Sequence, residues 1–217
     1  MQRDKLFLPD IKLLKKTGDV DYYDWNYKFP IKYIQLYRFK RIVQLLGNEK
    51  YPVLLEAGTG SGIFLPELSN HCEHLYACDI HHEFDNIAKL CETYKSQNYN
   101  LSTQSIDNTN FRDESFDAVV AVSVLEFVPD IQKAVTEIKR ILKKDGIFIT
   151  ICPMESKVLD FILNFYTRKP PKEESGDSRQ KVSKILEQNF TIVKKGYLIP
   201  LIGKLFPVYT HYKLKKN

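Results

Sequence analysis

A strand, a glycine-rich turn and a helix are indicated in immediate succession in the first third of the chain. Residues 53–55 form a short apolar run, which is typical of a strand buried on both faces. Glycines follow at alternate positions, Gly58, Gly60 and Gly62. Glycine lets the backbone turn sharply and approach a ligand closely. An apolar-periodic segment begins at Ile63, so we predict a helix whose free N–H groups face the turn and attract a negatively charged group.

Apolar strands and amphipathic helices alternate along most of the remaining chain. The predicted strands cover 53–55, 75–80, 101–105, 116–122, 147–151, 190–199 and 205–213. The predicted helices cover 31–46, 63–68, 84–94, 131–142, 154–166 and 178–187. Asp130 is expected to cap the helix at 131–142, and Gly146 is expected to stop it. This order of elements predicts an α/β fold with a parallel sheet and helices on both faces.

The length and the composition favour one globular domain. The 217 residues are enough for a full core. We divide the domain 1–217 into an N-terminal cover (1–47), a ligand-binding core (50–152) and a C-terminal segment with the last strands (153–217). An aromatic cluster in the cover, from Tyr22 to Phe29, serves either as packing or as the lining of a substrate entrance.

The cysteines and charges bear on location and partners. The four cysteines form no CxxC pair, and no apolar run is long enough to span a bilayer. We therefore expect a reducing, cytoplasmic setting. The net charge of +5 is modest, and the lysines gather at the two ends of the chain. These lysines indicate solvated surface, so no nucleic-acid partner is expected, while weak contact with a membrane surface stays open. The oligomeric state is not determined by the sequence.

Two acidic residues indicate which ligand the glycine turn holds. Asp79 ends the second strand about twenty residues after the turn, where a carboxylate binds ribose hydroxyls. Glu56 precedes the glycines, and its charge would repel a pyrophosphate and attract an ammonium or a sulfonium. A dinucleotide motif also has glycine where Ile63 stands. These features favour S-adenosylmethionine, a nucleoside with a cationic amino-acid tail, over NAD.

The same residues resemble the motifs of the class I S-adenosylmethionine-dependent methyltransferases, of the small-molecule type 11 group. The resemblance covers roughly residues 50–152, in the segments 54–62, 76–80, 113–130 and 138–148. It implies a Rossmann-like, seven-stranded, mostly parallel sheet with one antiparallel strand near its end. It implies S-adenosylmethionine as cofactor and S-adenosylhomocysteine as product. The cofactor-binding residues that it implies are Glu56, Gly58, Thr59, Gly60, Gly62, Asp79, Ile80, Ser105, Ile106, Asp107 and Ser123.

Two departures from the family pattern leave parts of the site open. Ser105 stands where the family usually has an adenine-binding aspartate, and Asp107 lies two residues further on, so either residue could serve the adenine. Phe127 stands where the family often has histidine, which removes an imidazole base. Methyl transfer from a sulfonium needs mainly in-line placement of the acceptor, so no catalytic residue is assigned.

The expected acceptor is a small molecule with a large apolar part. The aromatic cluster, the apolar helix at 154–166 and the connection at 197–208 are the segments expected around it. Two alternatives stay open, an NAD-dependent reductase and a binding module that keeps the fold without turnover. No metal site is expected, because the histidines and cysteines between His71 and His82 match no zinc spacing.

Overall fold

The computed structural model describes residues 6–154, 178–197 and 208–217. Seven strands form one sheet. They are β1 (Tyr51–Ala57), β2 (Cys72–Asp79), β3 (Tyr99–Thr103), β4 (Phe116–Val122), β5 (Leu142–Pro153), β6 (Thr191–Tyr197) and β7 (Tyr209–Lys215). The described helices are α1 (Lys32–Leu46), α2 (Leu65–Leu68), α3 (Phe84–Thr93), α4 (Ile131–Ile141) and α5 (Ser178–Asn189). Short 3-10 turns lie at Ile11–Leu13, Tyr23–Asn26, Ser69–His71 and Leu125–Phe127.

The strand order is β3-β2-β1-β4-β5-β7-β6. Neighbouring strands among β1 to β5 pair in parallel, and β7 is antiparallel to both β5 and β6. The chain moves outward from β1 through β2 to β3, then returns to place β4 on the other side of β1. Open sheets of this kind bind ligands where the strand order reverses, beyond the carboxyl ends of the strands. The predicted doubly wound, seven-stranded, mostly parallel fold is confirmed.

The sheet is buried on both faces by helices of opposite layers. Helices α1, α2 and α3 pack with Leu54 of β1 in one apolar core. Helices α4 and α5 pack with Leu55 of β1 in a second core on the other face. Adjacent residues of a strand point to opposite faces, so β1 must be apolar at consecutive positions. This is why the run at 53–55 is continuous instead of alternating.

Several predicted boundaries are confirmed in detail. Gly47 caps α1 with φ of 79°, the left-handed region that favours glycine. Asp130 caps α4 by accepting a hydrogen bond from the Lys133 amide at 2.9 Å. The predicted helix at 154–166 and most of the connection at 197–208 lie outside the described residues.

Two predicted boundaries are wrong. The helix after the glycine turn does not begin at Ile63, because Gly62 keeps a positive φ of 75° and extends the turn. Helix α2 therefore has only four residues. Helix α4 ends at Ile141, and Gly146 lies within β5 instead of stopping the helix. The pairing of Leu142 with Phe116 of β4 draws residues 142–146 into the sheet.

Candidate functional site

A cavity of about 450 Å³ opens beyond the carboxyl ends of β1, β2 and β4. Its volume is within the range of about 300–1,000 Å³ that small-molecule sites occupy. The wall includes the glycine turn, the end of β2, the segment at 104–106 and the segment at 122–129 after β4. Residues 17–26 of the N-terminal cover, which we call the N-terminal strap, contribute much of the remaining wall. The fold thus brings the central predicted motifs to one cavity.

The three glycines of the turn have different roles. A Cβ atom on Gly58 would lie 2.4 Å from Val124, and one on Gly62 would lie 2.8 Å from Ile87. These two positions need glycine for close packing of the turn against its neighbours. Gly62 does not line the cavity in the structure, and its predicted contact with a cofactor stays a prediction. Gly60 has φ of 50° and lies in the wall, and a Cβ atom on it would lie 3.7 Å from the Asp21 carboxylate, an ordinary contact distance.

Glu56 lies buried beneath the turn. The residue is only 3% exposed, and its side chain accepts a hydrogen bond from the Thr59 hydroxyl at 2.7 Å. Burial raises the pKa of Glu56 to about 8, and the nearby Asp79 adds to the shift, while the Thr59 bond opposes it. A cationic ligand that enters the cavity would favour the ionised form of this protonated, buried carboxyl group.

Asp79 ties the end of β2 to the glycine turn. One carboxylate oxygen accepts a hydrogen bond from the Gly60 amide at 2.8 Å, and the other accepts one from the Ile80 amide at 2.7 Å. His81 also contacts the turn, with Nε2 2.9 Å from the Gly60 carbonyl oxygen. Since His81 Nδ1 accepts from the Glu83 amide, the geometry assigns the ring proton to Nε2. Asp79 thus lies in the wall at the place where a ribose diol would bind.

Asp21 is a third carboxyl group at the turn, and the sequence reasoning missed it. The N-terminal strap holds its carboxylate about 3.7 Å from the position of a Cβ atom on Gly60. Oδ2 accepts hydrogen bonds from the amide and the hydroxyl of Thr17, and Oδ1 accepts one from the Tyr23 amide at 3.2 Å. Burial raises the pKa of Asp21, these bonds oppose the shift, and the charge of Asp79 adds to it. No local pattern marked this residue, because the strap reaches the turn only in three dimensions.

The predicted adenine-binding residues lie together at one side of the cavity. Ile80 lies in the wall and is 73% exposed, which leaves an apolar side chain available to a ring. Ser105 and Ile106 also lie in the wall. Asp107 does not. It lies behind Ser105 and accepts a hydrogen bond from the Ser105 hydroxyl at 2.6 Å.

The side of the cavity after β4 carries basic and polar groups. Arg38 of α1 donates to the predicted Ser123 hydroxyl at 2.7 Å and to the Gln35 side-chain oxygen. Its guanidinium group also lies 5.2 Å from the centre of the Tyr209 ring. In the turn itself, the buried Ser61 hydroxyl has no hydrogen-bond partner within the described parts of the chain. Both groups face a cavity that could hold an anionic group such as a carboxylate.

Glu126 is a second buried carboxyl group in the wall, and the sequence reasoning did not select it. Its Oε2 atom has no hydrogen-bond partner among residues 6–154, 178–197 and 208–217. Burial raises the pKa of Glu126 to about 7, against the opposing charges of Arg38 and Arg179. Phe127, which replaces the family's frequent histidine, lies beside it in the wall and is 38% exposed.

The aromatic cluster of the cover is divided between two roles. Tyr22, Tyr23 and Trp25 lie in the cavity wall, and the Tyr22 and Trp25 rings stack with centroids 4.3 Å apart. Tyr27 donates instead to the Pro9 carbonyl oxygen at 2.6 Å, and Phe29 is 75% exposed. Part of the cluster therefore lines the cavity, and its role as a substrate entrance stays a prediction.

Other predicted features concern the cysteines, metals and membranes. All four cysteines are free and buried. In the part of the chain that the structure describes, no group of three or more His, Cys, Asp or Glu side chains has the arrangement of a metal site. No described helix has the length and apolarity needed to cross a membrane.

Comparisons with known proteins agree with this geometry. Residues 55–150 match the family model described as a methyltransferase domain. One curated relative, the uncharacterized methyltransferase YcgJ of Bacillus subtilis strain 168, is 27% identical over 118 residues, which are 53% of this chain and 47% of YcgJ. Another, phosphatidylethanolamine N-methyltransferase of Cereibacter sphaeroides, is 31% identical over 97 residues, 43% of this chain and 46% of that protein. The chain spans about half the length of the curated relatives it matches.

A solved structure extends the comparison to the whole fold. N-methyltransferase NodS of Bradyrhizobium japonicum WM9, in complex with S-adenosylhomocysteine, aligns with a TM-score of 0.66 at 17% identity, over 92% of this chain and 93% of NodS. At this identity the likeness shows the fold alone. The prediction of the fold is confirmed, and the match over residues 55–150 agrees with the predicted family and its cofactor, S-adenosylmethionine. The chain thus has the fold of the class I S-adenosylmethionine-dependent methyltransferases, and residues 55–150 match a methyltransferase domain.

Proposed function

We propose that the chain transfers a methyl group from S-adenosylmethionine to a small-molecule acceptor bound in the same cavity. The observation that carries the proposal is the acidic lining of the glycine turn. Glu56, Asp79 and Asp21 meet there at the switch point of the sheet. Carboxyl groups at this density favour a ligand with cationic groups and disfavour the pyrophosphate of NAD.

The residues present fit this cofactor at several points. Asp79 would accept the ribose hydroxyls, and Ile80, Ser105 and Ile106 would surround the adenine. Glu56 would attract the ammonium group through the turn formed by Gly58, Thr59 and Gly60. The orphaned Ser61 hydroxyl and the Arg38 guanidinium, with Ser123 beside it, would receive the carboxylate. In this proposal Gly62 and Asp107 support the site from behind its wall.

The acceptor is proposed to enter between the segment after β4 and the C-terminal part of the domain. Phe127, Pro129 and Tyr209 supply apolar surface there, which supports an acceptor with an apolar part. The relative from Cereibacter sphaeroides is named for a phospholipid acceptor, which supports the same class. Glu126 lies in this part of the wall and is the carboxyl group that we propose contacts the reacting atom of the acceptor.

The chemistry of the chain would consist mainly of placement. When bound, the cofactor supplies the methyl group as part of a sulfonium, a good leaving group. The protein would align the acceptor with it and exclude water, and such placement accounts for much of the rate in reactions of this kind. Glu126, poised near neutral pH, would hold a proton from an acceptor N–H or O–H group.

Titration calorimetry with S-adenosylmethionine, S-adenosylhomocysteine and NAD tests the proposed function. We expect both adenosyl ligands to bind with micromolar affinity and NAD to show no binding at 1 mM, a difference of roughly 4 kcal/mol or more. Binding of NAD without either adenosyl ligand would overturn the proposal in favour of the reductase. Binding of the adenosyl ligands, with no methyl transfer to any member of a broad acceptor panel, would favour a module without turnover.

We expect cofactor binding to release a proton from Glu56. With a pKa of about 8 in the free protein, this group is about nine-tenths protonated at pH 7. A cationic ligand favours the ionised form, so its entry lowers the pKa and releases up to about 0.9 proton at that pH. Calorimetry in phosphate and in Tris measures this number, because the two buffers differ in heat of ionisation.

The matched variant for this prediction is Glu56→Gln. It keeps a side-chain oxygen for the Thr59 hydroxyl and removes the titrating group. We expect this variant to bind S-adenosylmethionine more weakly, and the number of protons released on binding to fall by most of its value. The release should also shrink in the wild-type protein above pH 9, where Glu56 is already ionised. An unchanged release in Glu56→Gln would show that the proton comes from elsewhere.

A further inference from the structure

The N-terminal strap brings a carboxylate to the side of the glycine turn that faces the cavity. Gly60 lies in the wall, and a Cβ atom on it would lie 3.7 Å from both Cγ and Oδ1 of Asp21. A ligand that lies along the turn therefore passes beside the Asp21 carboxylate, which is in contact range of Gly60. Glu56 is buried beneath the same turn, so the two carboxyl groups approach a ligand from different sides.

The strap holds the Asp21 carboxylate in one orientation. Three hydrogen bonds, two from Thr17 and one from the Tyr23 amide, fix both of its oxygens. The adjacent Tyr22 and Trp25 rings stack on each other in the same segment. The fixed carboxylate keeps its orientation when a ligand enters the cavity, so its charge acts on the part of the ligand that lies beside Gly60.

The charge of Asp79 acts on the other two carboxyl groups at the turn. Burial raises the pKa of both Asp21 and Glu56, and the charge of Asp79 adds to each shift. The buried Ser61 hydroxyl in the same turn, which has no partner among the described residues, independently indicates that a ligand completes this site. A ligand with a positive centre relieves the repulsion, and a neutral ligand of the same shape does not.

We infer that Asp21 is a specificity-determining residue that makes this cavity prefer a ligand with a positive charge at the sulfur position over its neutral counterpart. The inference rests on the proposed function. Its consequence is that the neutral thioether product binds less tightly than the sulfonium substrate. The substrate therefore displaces the product without an accessory step. This role is separate from that of Asp79, whose proposed partner is the uncharged ribose.

The experiment compares ligands that differ in one charge. S-Adenosylmethionine and S-adenosylhomocysteine share adenine, ribose, ammonium and carboxylate, and sinefungin carries an amine in place of the sulfonium. We expect wild-type protein to bind S-adenosylmethionine and sinefungin at least about tenfold tighter than S-adenosylhomocysteine. This difference corresponds to one charge interaction at an intermediate dielectric. In Asp21→Asn, which keeps an oxygen acceptor for the strap, we expect the preference to fall to within about threefold.

Two further variants make the result specific. Asp24→Asn is the matched control, because Asp24 is on the same strap, pairs with Lys28 and is not in the cavity wall. It should keep the wild-type preference. Asp21→Glu keeps the charge and should recover much of the preference. The inference is overturned if Asp21→Asn keeps a preference for the charged ligands within about twofold of the wild-type value. The proposed function still stands in that case, because all three ligands bind. If wild-type protein binds none of the three, the proposed function itself fails.

Discussion

Gly60→Val is expected to leave a folded protein that no longer binds S-adenosylmethionine. Gly60 has φ of 50°, and the only atoms within 4 Å of an added Cβ belong, in the described structure, to the Asp21 side chain at ordinary contact distance. The fold therefore bears mainly the cost of a β-branched residue in a left-handed conformation, about 1–2 kcal/mol. The valine methyl groups, however, extend past the Cβ atom against Asp21 and into the cavity where the ligand is proposed to lie. We expect affinity to fall by at least about 100-fold, measured by calorimetry.

Gly47→Val is the matched control for this prediction. Gly47 also has a positive φ, 79°, has nothing within 4 Å of an added Cβ, and caps α1 away from the cavity. Gly47→Val should lose at least as much thermal stability as Gly60→Val, because ψ of −155° at Gly47 lies outside the left-handed helical region, and only Gly60→Val should lose binding. Gly58 and Gly62 are poorer test positions, because a side chain there would strike Val124 or Ile87 and disturb the packing of the turn. Wild-type affinity in Gly60→Val would show that the ligand lies away from the turn.

The sheet and its layers could be predicted from the sequence because their signals are local. A strand buried on both faces must be apolar at consecutive positions, and β1 and β4 are. Helix α4 has a continuous apolar stripe and an aspartate at its start, so both its face and its first residue were predictable. The strand order, in which β1 and β4 are neighbours, was not predicted and is a finding of the structure.

The end of α4 could not be predicted from local preferences. Lys143 and Lys144 favour helix, and Gly146 is a common helix terminator. In the structure, pairing with β4 takes over at Leu142, and Lys143 forms an ion pair with Asp117 of β4 at 2.8 Å. The register shift between Phe116 and Ala118 accommodates the extra residues. A tertiary pairing thus overrode the helical preference of the segment.

The sequence predicted an anionic group at the glycine turn, and the structure gives a reason why this prediction was incomplete. That expectation assumed a full helix after the turn, but α2 has four residues and its N-terminal charge is correspondingly small. The Gly60 amide instead donates to Asp79. The carboxyl groups of Glu56, Asp79 and Asp21 dominate the electrostatics of this side of the cavity. The two acidic residues near the motif were predictable, whereas the small helix dipole was visible only in the structure.

The contributions of the N-terminal cover to the site could not be predicted. Asp21 and Arg38 precede the glycine turn by 20 to 40 residues and belong to no motif that was recognised. Their positions depend on how the strap and α1 fold back over the ends of β1 and β4. Nothing in the sequence distinguishes Asp21 from Asp19 and Asp24 of the same segment. Glu126 likewise belongs to no motif, and only its burial in the cavity wall distinguishes it.

Asp79→Ala is expected to weaken binding of S-adenosylhomocysteine by roughly ten- to a hundredfold. If Asp79 accepts ribose hydroxyls, the variant loses charge-assisted hydrogen bonds worth about 1.5–3 kcal/mol. The structure adds a cost in the free protein, because Asp79 also accepts from the Gly60 and Ile80 amides. Removing these bonds should lower stability by about 1–2 kcal/mol, which thermal unfolding without ligand would measure.

A ligand without the hydroxyls separates the two effects of this substitution. In wild-type protein, S-adenosylhomocysteine should bind about tenfold tighter or more than its 2′-deoxy counterpart, because Asp79 loses a hydroxyl partner. In Asp79→Ala the same change in the ligand should cost about twofold or less, since the acceptor is already gone. Loosening of the turn would instead weaken both ligands by the same factor. A 2′-hydroxyl effect of equal size in both proteins would therefore show that the ribose is held by another group, and that Asp79 serves only to fix the glycine turn.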